Sequence, residues 1–342
     1  MAMGDFARYP SPQDAYDAGA RGAYSDPRED ELCADSILRH GGNPNGSEIA
    51  HEWDFADAGK GKLVPMWEHV MRTWPGCWPG PAQENSSCVA HALQRASLMS
   101  WTCELIDGRP DEVTGLIEGK PELSDEAIKN SVLSTETSYW WRGTGMDAGW
   151  TCSGAARAVT TDCGVWLRKP YPEFGFDLTK YSADLELKYG ARKPPQPIID
   201  YGRQHLVRTA TFLKTIEEIR DFLHAGFGVY FCSSLKWSST RDDNGYSPVV
   251  PGQWLHAQSI CGFDDRPEII KLYGEPLAAV LNSWGRRWNS GPRAVFGTNL
   301  QIPEGAYWTK ARNLVRGQAV ALSSVAGWPP RQLRTYGATG NV

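Results

Sequence analysis

Residues 281–288 read Leu-Asn-Ser-Trp-Gly-Arg-Arg-Trp and follow the apolar residues 277–280, Leu-Ala-Ala-Val. A short apolar run of this kind is typical of a buried strand, so the sequence places Asn282 at a strand end with Trp284 close by. An amide in that position can hold an imidazole in one tautomer without adding charge, and the indole of Trp284 would shield the hydrogen bond from water. Taken alone, the Asn-Ser-Trp-Gly tetrapeptide is also consistent with a simple turn.

The histidine that such an amide would orient lies in residues 253–265, QWLHAQSICGFDD. Alternate side chains of a strand share a face, which puts Trp254, His256 and Gln258 on the same side. A lone histidine in a strand is more often a hydrogen-bonded core residue than a base. The interpretation of His256 as a base therefore depends on the patterns around it.

Cys88 begins a predicted helix, residues 88 to about 106, whose apolar side chains recur at spacings of three and four. Ser86 and Ser87 precede it as candidate caps. A helix start carries partial positive charge and unsatisfied N–H groups, and these stabilise the thiolate, which is the nucleophilic form of cysteine. By itself, a cysteine in this position is most often a small buried hydrophobe.

The composition of the 342-residue chain excludes several classes of protein. Its net charge of -5 shows no basic surplus of the kind that binds nucleic acid, and no Lys/Arg run indicates binding to a membrane surface. The apolar runs are too short to span a bilayer. No basic stretch followed by an apolar stretch marks the first residues as a secretory signal, so we expect a cytoplasmic or virion-associated location.

Eight cysteines are scattered along the chain, with no Cys-x-x-Cys pair and no Cys/His cluster at zinc spacing. Without an export signal, most of them are expected to be reduced thiols. We expect neither a bound metal nor any other cofactor.

The coarse organisation is a helical first half and a β-rich second half. The predicted segments are an irregular N-terminal arm or pro-segment (1–58), a helical lobe with the nucleophile helix (59–205), a β-rich lobe with the histidine and asparagine (206–313) and an irregular C-terminal tail (314–342). Besides the helix at Cys88, helices are predicted at 124–133, 153–162 and 215–224, strands at 228–234, 254–263 and 277–283, and irregular chain at 178–205.

A glycine-rich aromatic loop, YWWRGTGMDAGW, covers residues 139–150. Its glycines, Gly143, Gly145 and Gly149, would let an extended substrate backbone approach and pair in β fashion. A plain surface loop explains the same composition equally well.

Together these stretches resemble the papain-like cysteine peptidase family. The matching stretches, which lie within residues 60–312, are QENSSCVAH (83–91), LHAQSICGFDD (255–265), LNSWGRRW (281–288) and GAYW (305–308). The resemblance implies an α+β, two-lobed fold with a helical left lobe, an antiparallel β-barrel-like right lobe and the cleft between them.

The same resemblance implies the roles of the residues. Cys88 would attack the scissile carbonyl, His256 would pair with the thiolate and protonate the leaving amine, and Asn282 would orient His256. The backbone N–H of Cys88 and the side chain of Gln83 would hold the oxyanion. Further residues expected to line or support the cleft are Trp284, Ala257, Gly143, Gly145 and Gly149.

The chain departs from the family pattern near the nucleophile. Gln83 stands five residues before Cys88, where the family glutamine usually stands six before, and Val89 replaces the usual tryptophan. Asn85 occupies a position that often holds a disulfide cysteine. If Cys152 matches the usual partner of that cysteine, it is expected to have no bridging partner. His91 is a rival base because it shares a helix face with Cys88, but it would lie behind the thiol.

Three functions fit these observations. The first is a cysteine peptidase that hydrolyses protein or peptide substrates through a thioacyl intermediate. The second is a non-enzymatic structural or binding component, for example of a virus particle, whose terminal arms contact assembly partners. The third is a Cys-dependent acyl transferase or cell-wall amidase, which the Asn-Ser-Trp-Gly block disfavours.

Overall fold

The computed structural model describes residues 13–14, 23–24, 28, 55–107, 120–142, 147–189 and 192–323. In these ranges the α-helices are α1 (Met66–Thr73), α2 (Cys88–Asp107), α3 (Asp125–Lys129), α4 (Glu136–Tyr139), α5 (Cys152–Thr161), α6 (Ala183–Glu186), α7 (Gln196–Gly202), α8 (Ile216–His224) and α9 (Pro267–Tyr273). Short 3-10 segments lie at Pro172–Phe174, Arg203–His205 and Ala311–Arg316.

The β-strands are short in the first half of the chain and long in the second. They are β1 (Ala23–Tyr24), β2 (Leu63–Val64), β3 (Trp150–Thr151), β4 (Pro170–Tyr171), β5 (Phe176–Asp177), β6 (Ala210–Leu213), β7 (Gly228–Trp237), β8 (Val249–Asp264), β9 (Leu277–Leu281), β10 (Ala306–Lys310) and β11 (Gln318–Leu322).

The predicted helix at Cys88 is confirmed as α2, and residues 88–105 are buried on every side. A helix surrounded in this way belongs to the core of a larger protein. It lies against β7 and β8, and Gly228 makes the close approach, since a Cβ there would lie 1.9 Å from the carbonyl oxygen of Ala96. The buried hydroxyl of Ser100 is satisfied because it donates to Leu322 O and accepts from Gly228 N.

The main sheet has the strand order β10-β9-β8-β7-β11-β6, with β2 added beside β8, and all neighbouring strands are antiparallel. This confirms the α+β class with an antiparallel β-rich half. The path is open in the described ranges, because β6 and β10 do not pair, so no closed barrel forms there. The division into lobes at residue 205 stays a prediction.

Two segments predicted to be irregular contain regular structure. The tail predicted from 314 onward holds β11, which lies between β6 and β7; its nearly continuous burial hid the alternation expected of a strand. Residues 178–205 hold α6 and α7. Prolines misled the prediction there, because Pro195 and Pro197 stand at the start of α7, where the missing N–H is tolerated.

Other predicted helices are confirmed with shifted ends. Thr215 and Glu218 form the predicted capping box of α8. Ser124 caps α3 by accepting from Ala127 N, but the helix stops well before 133 because Ser131 and Val132 adopt positive φ values of 75° and 65°.

A disulfide joins Cys152 to Cys232 and corrects the expectation that Cys152 is unpaired. It links the first residue of α5 to the middle of β7 across a sequence separation of 80. A partner this distant cannot be identified from cysteine spacing alone. In the described ranges the remaining cysteines, including Cys88, are not in disulfides and are buried.

Candidate active site

Asn282 lies directly after β9 and reaches the neighbouring strand β8. Its Oδ1 atom is 2.8 Å from Nε2 of His256, and both side chains are almost fully buried. Because Oδ1 is an acceptor, Nε2 carries the ring proton and the lone pair of the neutral imidazole lies on Nδ1.

Trp284 covers this hydrogen bond. Its ring stacks on the imidazole of His256 with 4.8 Å between centroids and 27° between planes. Trp254 and Trp288 pack edge-on against the same indole at 4.7 and 5.2 Å. One face of the imidazole is therefore covered by aromatic surface rather than solvent.

Gly285 ends the Asn-Ser-Trp-Gly turn in a conformation that favours glycine. Its φ is +80°, and a Cβ there would lie 3.1 Å from Cβ of Ala82. The turn thereby packs against the segment that leads to Gln83. The tetrapeptide is indeed a turn, and it positions two parts of the site.

Cys88 is the first residue of α2, as the sequence predicts, and is fully buried. Its Sγ atom accepts a hydrogen bond of 3.3 Å from the backbone N–H of Ala257, the residue after His256. The start of α2 and the centre of β8 thus meet at the thiol. The structure brings Cys88, Ala257, His256, Asn282 and Trp284 together.

The imidazole of His256 is held in its neutral form. Burial lowers the pKa of His256 to about 3, and the charges of Arg95 and His91 act in the same direction, while the hydrogen bond to Asn282 opposes them. A thiolate beside the ring would favour the imidazolium, because an opposite charge at short range raises the pKa of histidine.

Gln83 lies next to the Asn282 segment despite its shifted sequence position. Its backbone N–H donates to Ser283 O at 2.8 Å, and its Oε1 accepts from the Ser283 hydroxyl. Its Nε2 donates to Asn85 O at 2.9 Å, which uses one of the two amide hydrogens. The role of Gln83 as an oxyanion donor stays a prediction.

Of the three candidate cleft glycines, Gly149 is buried and immediately precedes β3. Gly143 and Gly145 lie outside the described residues. The arm reaches this region, since Ala23 and Tyr24 of β1 pair in parallel with Trp150 and Thr151 of β3.

A second arm contact lies beside the aromatic cluster, where Gln13 Oε1 accepts from Nε1 of Trp288 at 2.9 Å. Because Trp288 packs on Trp284, this contact lies beside the aromatic cluster that covers His256.

The rival base His91 faces a different group. Its Nε2 lies 3.6 Å from Oε1 of Glu186, and both side chains are buried. Burial lowers the pKa of His91 well below its ordinary value, and the charges of Arg95 and Arg168 add to this. His91 therefore belongs to an internal polar cluster.

Sequence reasoning missed two carboxylates that hold the loop before the nucleophile. Glu186 Oε2 accepts from Nδ2 of Asn85 at 2.9 Å, and Asp147 Oδ1 accepts from the backbone N–H of Ser86 at 2.7 Å. Neither acid has a motif around it. The one signal that could have found Glu186 is Asn85, a polar residue at a position that often holds a disulfide cysteine; nothing in the sequence indicates Asp147.

In the described ranges no helix is long and apolar enough to cross a membrane. Among the same residues no group of three or more His, Cys, Asp or Glu side chains is arranged to hold a metal ion.

No family model and no curated protein sequence matches the chain. Solved structures that match are papain-like cysteine proteases. They include the Amb a 11 cysteine protease of ragweed pollen in its proform (14% identity, 77% of this chain and 65% of that chain covered, TM-score 0.41). Others are the protease and lectin-like domains of Cwp84 from Clostridium difficile (16%, 72% and 50%, 0.42) and digestive procathepsin L2 from Tenebrio molitor (13%, 74% and 66%, 0.41).

Proposed function

We propose that this protein is a cysteine peptidase with Cys88 as nucleophile, His256 as acid and base, and Asn282 as the residue that orients the imidazole. The observation that carries the proposal is the 2.8 Å hydrogen bond between His256 and Asn282. The residue after His256 on the same strand, Ala257, donates its backbone N–H to the sulfur of Cys88. These two hydrogen bonds place the thiol next to the strand that carries His256, and a nucleophile, a base and an orienting group are the parts that covalent acyl transfer requires.

In the proposed reaction, the thiol proton of Cys88 passes to Nδ1 of His256 and the sulfur attacks the scissile carbonyl carbon. The carbonyl oxygen becomes an oxyanion, which the backbone N–H of Cys88 and the Gln83 amide stabilise. The tetrahedral intermediate collapses as the imidazolium protonates the leaving amine. Water, deprotonated by His256, then releases the acid from the thioester and restores the thiol.

The N-terminal arm is proposed to act as a pro-segment. Its residues Ala23 and Tyr24 pair with β3 immediately after Gly149, where an extended substrate would be expected to pair. Gln13 also contacts Trp288 in the aromatic cluster over His256. These contacts support an arm that must leave before substrate can bind.

The decisive experiment is covalent labelling of Cys88 by an epoxide or vinyl-sulfone reagent, read out by peptide mass spectrometry, together with hydrolysis of a peptide panel. Wild type is expected to label at Cys88, and Cys88→Ala should lose both labelling and hydrolysis. Cys103→Ala, which removes another buried thiol that is not in a disulfide, is the matched control and should retain both. Absence of labelling at Cys88 both in wild type and in a variant whose arm contacts are broken, such as Ala23→Arg, would exclude the enzymatic function.

A non-enzymatic binding or assembly component is the second candidate. The full burial of Cys88 and the near-full burial of His256, together with the arm contacts, favour it. A protein of this kind would resist labelling even after its arm contacts are broken. Labelling under those conditions therefore separates the two functions.

A further inference from the structure

The loop 83–87, immediately before Cys88, is held from one side by buried polar groups. Nδ2 of Asn85 donates to Oε2 of Glu186 at 2.9 Å and to the carbonyl oxygen of Ala183 at 2.8 Å. The hydroxyl of Tyr181 donates to the same carboxylate oxygen at 2.9 Å and accepts from the backbone N–H of Glu84 at 3.0 Å. Two consecutive loop residues are thus tied to Glu186.

The hydrogen bonds from Glu186 through Asn85 continue to the side-chain amide of Gln83, which is expected to hold the oxyanion. The carbonyl oxygen of Asn85 accepts from Nε2 of Gln83 at 2.9 Å. A shift of the Asn85 backbone would therefore rotate or release the Gln83 amide. The loop also leads directly into Cys88, whose backbone N–H is the other expected donor.

Glu186 lies at the end of the short helix α6 and is completely buried. A buried carboxylate costs free energy that an apolar side chain of similar volume would avoid. It accepts hydrogen bonds from Asn85 and Tyr181 on one oxygen, while the other faces His91 at 3.6 Å. Such a group specifies the position of its partners more than it stabilises the fold.

We propose that Glu186 and Asn85 are positioning residues for the oxyanion site, forming a carboxylate–amide clamp that fixes Gln83 and the N–H of Cys88. The inference rests on the proposed function, because it concerns the same hydrolytic step. Neither residue touches the substrate. They act by holding the two donors where negative charge develops.

The surroundings of the clamp place its titration near neutral pH. Burial and the nearby charge of Glu136 raise the pKa of Glu186 to about 7, against the lowering effect of hydrogen bonds from Asn85, Tyr181 and Ser87. The other titratable or charged groups of this cluster are His91 and Arg95 on α2, Tyr139 at the end of α4, Arg142 and Asp147 in the loop that follows it, and Arg168, which pairs with Glu136. Glu186→Gln keeps an acceptor oxygen but removes this titration.

Two reactions of the same sulfur provide the test. Alkylation of Cys88 by iodoacetamide forms no oxyanion, whereas hydrolysis of a peptide amide does. Asn85→Ala and Glu186→Ala are expected to lower kcat for hydrolysis roughly tenfold or more, part of the loss seen when an oxyanion donor is removed. KM and the alkylation rate should stay within about twofold of wild type, since the thiol and His256 are untouched.

Glu186→Gln should restore most of the hydrolysis lost in Glu186→Ala. If kcat of wild type changes with pH near pH 7, that change should be absent in Glu186→Gln. Glu173→Gln, which removes an exposed acid outside the clamp, is the control and should match wild type. Equal losses of alkylation and hydrolysis in Glu186→Ala, or unchanged hydrolysis, would overturn the clamp. If Cys88 reacts in neither assay, even in the variant Ala23→Arg whose arm pairing is broken, the proposed function itself fails.

Discussion

The indole of Trp284 stacks on the imidazole of His256 at 4.8 Å, on the same ring whose Nε2 is bonded to Asn282. The stack keeps water away from this neutral hydrogen bond, and the hydrogen bond leaves the ring lone pair on Nδ1, the nitrogen proposed to serve the thiol. The following predictions separate this arrangement from a merely well-packed core.

Asn282→Ala should lower kcat/KM by about 100-fold, the range expected when an acid–base group loses its orientation. The thiol of Cys88 remains, so covalent labelling should slow without disappearing. Steady-state kinetics and labelling rates check both expectations. Gln301→Ala, an exposed residue outside the site, should leave both rates unchanged; equal loss in this control would contradict a specific role for Asn282.

Gly285→Ala is expected to reduce hydrolysis, whereas Gly274→Ala is not. Both glycines have φ near +80°, so each alanine should cost about 1–2 kcal/mol of stability. A Cβ added at Gly285 would lie 3.1 Å from the Cβ of Ala82, whereas a Cβ added at Gly274 would have no atom within 4 Å. Urea unfolding and kcat measure the two effects. Equal activity in both variants would show that the turn does not position Gln83.

The arm contacts predict that opening β1 speeds the reaction of Cys88. Ala23 is 2% exposed, so the larger side chain of Ala23→Arg should displace its pairing with Trp150. We expect the labelling rate of Cys88 to rise severalfold, while Arg28→Ala, at an exposed position of the same arm, should behave as wild type. An unchanged or slower rate in Ala23→Arg would argue against a pro-segment.

The His91–Glu186 pair predicts a specific pH dependence of stability. Between about pH 4.5 and 6.5 the unfolded chain carries one proton on His91, whereas the folded protein carries one on Glu186. The proton counts are equal, so the pair adds no slope in this window. The raised pKa of Glu186 alone would make stability fall as pH rises toward 7, and the lowered pKa of His91 alone would make it rise.

His91→Leu removes the compensating half of the pair. The folded variant then binds one proton more than the unfolded chain between about pH 4.5 and 7, so its stability relative to wild type should fall by up to about 1.4 kcal/mol per pH unit as pH rises to 6.5. Urea unfolding at pH 5, 6 and 6.5 tests this. If the difference in stability between variant and wild type does not change with pH, the assignment of neutral His91 and protonated Glu186 to the folded protein is contradicted.

Reduction of the Cys152–Cys232 bridge should destabilise the protein by about 2–4 kcal/mol, because the unfolded chain regains the freedom of an 80-residue loop. Unfolding with and without dithiothreitol measures the loss. The double variant Cys152→Ala, Cys232→Ala should show the reduced stability under both conditions. A wild-type protein insensitive to the reductant would contradict the bridge.

The sequence predicts those parts of the site that depend on local patterns. The helix start at Cys88, the strand at His256 and the strand end at Asn282 follow from apolar periodicity and residue order. It does not predict contacts that depend on distant pairing, such as Glu186 with Asn85 or Cys152 with Cys232. The strand at 318–322 was missed for a different reason, since burial on both faces removes the alternation that marks a strand.

The bridge between Cys152 and Cys232 also limits how the site can move. Cys152 directly follows β3, which Gly149 precedes, and Cys232 is the register partner of Ala257, next to His256. The segment expected to receive substrate and the strand that carries His256 are therefore joined by a covalent bond. Under the proposed function, this bridge would limit how far the two segments can separate, and selection among peptides would depend on side-chain size more than on closure around them.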